Sequence, residues 1–77
     1  MSEKKKELNE MIEAVLLAIP REISAQEFYL NIAKRTTSDA SKKMFLFLAD
    51  QEKMHEAKLR NLLAELQTEL KSVDGRK

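Results

Sequence analysis

The sequence predicts an all-α fold: an antiparallel helical hairpin that pairs with a second copy to make a four-helix bundle. Three observations carry this reading. Apolar residues recur at alternating intervals of four and three in both halves of the chain, one short polar segment separates the halves, and the 77 residues include a single Gly and a single Pro. Intervals of four and three place side chains on one face of a helix with 3.6 residues per turn, whereas a half-buried strand needs strict alternation. Ala, Leu, Glu and Lys dominate, as they do in long helices.

The first helix is expected over about residues 4–35. Its seam is Leu8, Ile12, Val15, Ile19, Glu22, Gln26, Tyr29 and Ala33. Pro20 falls inside it. An interior proline removes an amide donor and crowds the carbonyl four residues earlier, at a cost of roughly 3 kcal/mol. Ile19 is a poor N-cap for a fresh helix, so a kink is expected rather than a break. Such a kink either aims Glu22 or lets the helix curve around its partner. Lys4–Lys5–Lys6, the one basic run, reads as a frayed and solvated N-terminus.

Thr36, Thr37 and Ser38 combine β-branched residues with a good capping residue, which places the turn at about 36–38. Ser38 or Asp39 then caps a second helix over about 39–73, and Asp74–Gly75 supplies its stop. The expected seam of this helix is Phe45, Leu48, Glu52, His55, Leu59, Leu62 and Leu66. Further apolar residues flank both seams. Leu16, Ile23 and Leu30 lie on one side of the first; Met11, Ala18, Ala25 and Ile32 lie on the other; Phe47, Met54, Leu63 and Leu70 widen the second. Faces this broad suit a bundle core rather than a two-stranded coil. One hairpin cannot cover them, so residues 1–77 form one domain that must associate at least as a homodimer.

The composition excludes several classes. A net charge of +1 with interspersed signs gives no footprint for a nucleic acid. The longest apolar run, Ala14–Ile19, is too short to span a bilayer and has no signal-peptide layout before it, so a cytoplasmic protein with no membrane partner is expected. The absence of Cys removes disulfides and thiolate-bound metals. Met11, Met44 and Met54 read as core filler.

Three polar residues occupy seam positions meant for apolar ones: Glu22, Glu52 and His55. An unpaired carboxylate in a core costs several kcal/mol, so each needs a partner. With the turn centred on Thr37, Glu22 lies fifteen residues before it and Glu52 fifteen after. At 1.5 Å per residue both stand roughly 22 Å from the turn, and His55 sits one helical turn along the same face. Glu-x-x-His sets a carboxylate beside an imidazole, and two copies supply four Glu and two His. Oxygen and imidazole donors without thiolate suit Fe, with Mn or Zn as alternatives, and the expected load is two Fe ions per dimer. The competing reading is a polar layer that fixes register and oligomer state without a metal. Gln26, one turn from Glu22, is a candidate hydrogen-bond donor to a carboxylate. Glu27, Gln51 and Glu56 read as solvated helix faces.

These residues resemble the rubrerythrin and ferritin-like superfamily. Glu22-x-x-Ala25-x-x-x-Tyr29, followed by Ala33, is similar to the first ligand-bearing helix of that superfamily, and Phe47-x-x-x-x-Glu52-x-x-His55, with Leu48–Ala49 before the Glu, to its second. The resemblance runs from about Ala18 to Leu66 and covers one hairpin, as in the half-length encapsulated ferritins that assemble their site across a dimer interface. It implies Glu22 and His55 as terminal iron ligands, Glu52 as a bridging carboxylate, and Tyr29 as the family tyrosine near the site. It further implies Fe(II) together with O₂ or peroxide as reactants. Departures are also visible. No Cys-rich electron-donating segment is present, Arg21 and Ser24 stand where encapsulated ferritins carry an acidic iron-uptake site, Pro20 replaces a frequent acidic residue, and Ser72–Lys77 resembles no encapsulin-targeting peptide. The expected function is ferroxidase-like oxidation of Fe(II). The alternatives are a peroxide reductase served by an external electron donor and a non-enzymatic helical interaction module.

Overall fold

Hydroxyl side chains open both helices. The computed structural model describes residues 2–74, and in it Ser2 Oγ accepts a hydrogen bond from the amide of Lys5 at 3.1 Å, so α1 begins at Glu3 and runs to Arg35. Ser38 Oγ accepts from the amide of Ser41 at 3.1 Å and starts α2, Asp39–Asp74. Each bond satisfies one amide that the first helical turn leaves without a partner. Residues 36–38 make the connection, pinned by the amide of Ser38 donating to Thr36 Oγ1 at 3.2 Å. The expected stop at Gly75 and the end of the tail lie outside the described residues.

α1 passes through Pro20 without a break. Proline carries no amide hydrogen, so the carbonyl of Leu16 loses its partner there. The N-terminal lysines are not the frayed segment expected from the sequence. They belong to α1, and Lys4 and Lys5 reach across the open end of the hairpin to Glu69 (3.3 Å) and Asp74 (3.0 Å). Exposed pairs of this kind contribute little individually, about 0–1 kcal/mol. No helix among the described residues is long and apolar enough to cross a membrane.

The two helices lie side by side as an all-α antiparallel hairpin. In α1 the seam facing α2 is the expected one: Leu8, Val15, Ile19 and Ala33 are buried, and Ile12, Glu22, Gln26 and Tyr29 are half-buried between them. In α2 Phe45, Leu48, Glu52, Leu59 and Leu66 of the expected seam are half-buried, and the seam departs from expectation at two positions. Glu56 and Leu63 face α1, while His55 and Leu62 turn outward, the His55 side chain being 51% exposed and Leu62 41% exposed. The cause is the mismatch between 3.6 residues per turn and a seven-residue repeat. The spacing Phe45–Leu48–Glu52–Glu56 is three, four and four, an eleven-residue step that keeps the stripe on α1 where a strict heptad would drift off it. Phe47 and Met54, expected to widen the core face, are 57% and 49% exposed on the far side of α2.

The hairpin measures 61 × 14 × 12 Å and has a radius of gyration of 17.6 Å. A compact domain of this length has a radius of about 11.5 Å. The accessible surface is 6111 Å², against roughly 4,800 Å² for a compact chain of this mass. Among the described residues the buried core consists of Leu8, Val15, Ile19, Ala33 and Ala49 alone.

Two stability outcomes follow. Ile19→Ala removes one of the larger buried side chains and lowers unfolding free energy by about 2–4 kcal/mol in urea titration. Ser38→Ala removes the cap of α2 and lowers it by about 1 kcal/mol in the same assay.

Candidate metal centre

An antiparallel pair has a geometric property that sets which side chains meet. Helical side chains lean toward the N-terminus of their own helix. In α1 that direction leads away from the turn, and in α2 it leads toward it. Residues of α2 somewhat farther from the turn than their α1 neighbours therefore come into contact. His55 stands three residues farther from the turn than Glu52, and its Nδ1 lies 3.0 Å from Glu52 Oε1 and 3.4 Å from Glu22 Oε1. One donor atom from each of the three residues falls within 4.8 Å of the others. The three residues that interrupt the apolar pattern are thus brought to one place.

The electrostatics of the cluster are unbalanced. Glu22 Oε1 is buried and has no hydrogen-bond partner, although its side chain as a whole remains a quarter exposed. The carboxyl of Glu22 is held above the ordinary carboxylate range. The main cause is a hydrogen bond to Glu52, with burial and repulsion from Glu52 adding to it and His55 opposing. The same bond, with help from His55, holds Glu52 below that range. The two carboxyl groups thus compete for a proton, and Glu22 holds one more readily than Glu52 does. In the Nδ1–H tautomer a second proton lies between the ring and Glu52. A cation placed among these atoms would replace both protons and give the orphaned oxygen a partner. Two carboxylate oxygens and one imidazole nitrogen, with no sulfur, form a donor set suited to iron, manganese or zinc.

The neighbouring expected residues go elsewhere. Gln26 Nε2 donates to Glu56 Oε1 at 2.7 Å, rather than to a carboxylate of the triad, and Arg60 Nε donates to Glu56 Oε2 at 2.8 Å. Glu56 is therefore no solvated bystander. Both of its oxygens are engaged, and the two bonds hold its carboxyl below the usual range, Gln26 being the larger cause. The i, i+4 pair Glu56–Arg60 and the polar residue Gln26 in an apolar seam were the signals in the sequence for this bridge. Tyr29 packs against Phe28 (ring centroids 5.6 Å apart, edge-on) and Phe45 (6.1 Å) as part of the interhelical packing toward the turn. Glu27 lies on an exposed face, and Gln51 is half-buried beside the triad.

The family model described as Rubrerythrin matches residues 13–77, a span that includes Glu22, Glu52 and His55. The chain belongs to the rubrerythrin family. Comparison with curated proteins gives no match, and neither does comparison with solved structures. Membership accords with the helical hairpin and with the position of the Glu-x-x-His segment on α2, opposite Glu22 on α1. Within this rubrerythrin-family chain, the departures in sequence, Arg21 and Ser24 beside Glu22, lie on exposed positions of α1.

The sign of each shift fixes a pH response. Glu22, raised, favours the folded state below its unfolded value, and this contribution is lost as pH rises through its folded value. Glu52, lowered, favours the folded state above its unfolded value, and its contribution is lost as pH falls through its folded value. Cation binding needs both carboxylates ionised, so affinity for Fe(II) or Zn(II) should fall on acidification, with Glu22 the first to take up a proton. Glu22→Gln separates the two effects. Thermal melting of the metal-free protein should stay level or rise, because the carboxylate repulsion is gone, while equilibrium dialysis should show metal binding reduced at least tenfold.

Proposed function

We propose that this rubrerythrin-family chain is a di-iron carboxylate protein, that two copies share the site, and that it oxidises Fe(II) with O₂ or peroxide. The observation that carries the reading is the buried, unpartnered Glu22 Oε1 facing the Glu52 carboxylate and His55 Nδ1 in a seam otherwise made of apolar residues. An apolar seam gains nothing from an unpaired oxygen, and a cation is the partner that the donor set lacks.

Three ligand atoms leave an iron ion with open coordination positions, and His55 is half exposed on the side of the hairpin that has no cover. A second hairpin related by a two-fold axis brings a second Glu22, Glu52 and His55 to the same place and completes the four Glu and two His of a di-iron bundle. In that arrangement Glu22, Glu52 and His55 of each copy would hold the iron, with Glu52 in the role of bridging carboxylate that the family resemblance implies. The carboxylates would offset part of the positive charge of a bound cation, and His55 would supply a nitrogen donor. When bound, iron supplies one-electron oxidation: two Fe(II) ions release one electron each, and H₂O₂ with two protons takes both to give two molecules of water. Cytoplasmic residence goes with this chemistry, since Fe(II) persists in a reducing compartment. These 77 residues contain no cysteine. Simple Fe(II) oxidation, which needs no thiolate-bound electron donor, is the activity proposed, with a peroxide reductase cycle fed by a separate reductase as the alternative.

Anaerobic titration with Fe(II) is the decisive measurement. About one tightly bound iron per chain is expected, falling below a tenth of that in Glu52→Ala and His55→Ala. A folded, associated protein that binds no iron would leave only a polar layer that sets pairing, and Glu52→Leu with His55→Leu would then raise the melting temperature. Stopped-flow oxidation of the loaded protein by O₂ and by H₂O₂ ranks the two oxidants.

A further inference from the structure

Between Glu52 and Leu66, α2 carries two sets of residues able to face α1. They share Leu59 and Leu66 and differ at two places: one set turns His55 and Leu62 inward, the other Glu56 and Leu63. Each set supplies three leucines and one polar residue, so apolar burial favours neither. The two facings are related by a roll of α2 about its axis of about 50°, half the 100° between successive residues. Helix winding alone does not choose between them. An unwound pair brings Glu56 inward and a left-handed winding brings His55 inward. α1 keeps its seven-residue seam buried or half-buried from Leu8 to Ala33, which suits the winding, yet Glu56 is the residue that faces it.

The facings differ in the partner that the polar residue meets. Glu56 Oε1 accepts a hydrogen bond from Gln26 Nε2 at 2.7 Å across the pair, and Glu56 Oε2 accepts from Arg60 Nε at 2.8 Å along α2. Bonds to a carboxylate at these lengths are among the stronger ones. Gln26 is half-buried in the α1 seam, where the repeat calls for an apolar residue. In the other facing Glu56 would turn to water, and the Gln26 amide would lose its acceptor inside the seam, which is costly.

The consequence falls on His55, the residue before Glu56. With Glu56 held in the seam, the imidazole stands at the edge, its side chain 51% exposed and its Nδ1 3.4 Å from Glu22 Oε1. With Glu56 released, the ring would turn into the space between its own two helices. We propose that the Gln26–Glu56–Arg60 bridge is a positioning element: it selects the facing of α2 and so keeps the His55 imidazole on the open side, beside Glu22 and Glu52. Its bearing on metal rests on the reading that these three residues hold the ion, whereas the choice of facing does not.

Gln26→Met removes the amide at similar volume and leaves Glu56 against apolar surface. Two measurements on the full chain read the result. One is the set of intrachain nuclear Overhauser contacts from α1 methyl groups to Leu62 or Leu63 in the metal-free protein; the other is Zn(II) affinity by equilibrium dialysis. Wild-type contacts reach Leu63. In Gln26→Met they shift to Leu62 at unchanged helix content, and Zn(II) affinity falls roughly ten- to hundredfold, the usual cost of losing a group that orients a ligand. Adding Glu56→Leu makes the original facing the apolar one. Contacts then return to Leu63 and affinity returns to within about threefold of wild type although the bridge is gone, a non-additive rescue that a group needed for its own chemistry would not show. Should Gln26→Met fail to fold, Gln26→Glu, which sets two carboxylates together, gives the same shift, and adding Glu56→Gln reverses it by remaking an amide-to-carboxylate bond. Contacts that stay on Leu63 in both single variants overturn the bridge as the selector. Contacts that shift while Zn(II) affinity holds overturn its hold on His55. A wild type that binds no Zn(II) but shows the shift and its rescue supports the selector and removes the metal reading.

Discussion

Two helices packed side by side have no interior. With a cross-section of 14 × 12 Å, every described residue of this hairpin is at most one side chain from solvent, and only five apolar residues among them are buried. Everything else in the structure responds to that constraint. The wide flanks and the exposed Leu16, Leu17, Leu30 and Leu46 are the apolar surface that this constraint leaves uncovered in a single hairpin. Glu22 and Glu52 keep 25% and 21% of their side chains exposed in this seam, although Glu22 Oε1 itself is buried.

The placement of the triad comes from two independent pieces of helix geometry. Matching distances from the turn bring Glu22 and Glu52 level, and the opposite lean of side chains on antiparallel helices brings His55 down onto Glu22. The eleven-residue step in α2 adds the third element. It turns Glu56 into the seam, where Gln26 and Arg60 hold it, and leaves His55 at the edge. One carboxylate is thereby occupied within the hairpin, and the neighbouring imidazole is left with its ring facing the two that are not.

Most of the fold was legible in the sequence because local rules governed it. The α1 seam, the three-residue connection and the cap at Ser38 follow from intervals and residue types that act within one helical turn. The convergence of Glu22, Glu52 and His55 was legible too, since it needed only counting from the turn. What was missed depended on contacts between the helices. The seven-residue pattern named His55 and Leu62 as inward, and the drift that turns Glu56 and Leu63 inward instead accumulates over several turns. The role of Glu56 was hidden for the same reason, because its partner Gln26 is thirty residues away. Lys4 and Lys5 likewise read as a loose end until α2 was seen to finish beside them.

If two copies share the site, as proposed, a chain that carries one Glu from α1 and a Glu-x-x-His from α2 holds half of a di-iron ligand set and meets the other half as its own copy. Every inherited change near Glu52 is then made twice, at symmetry-related points around one centre. Neither half can drift while the other keeps the chemistry going, so the two metal positions must remain alike. A gene that fused two such hairpins would lift this restriction, allowing one half to keep binding while the other acquired a different preference.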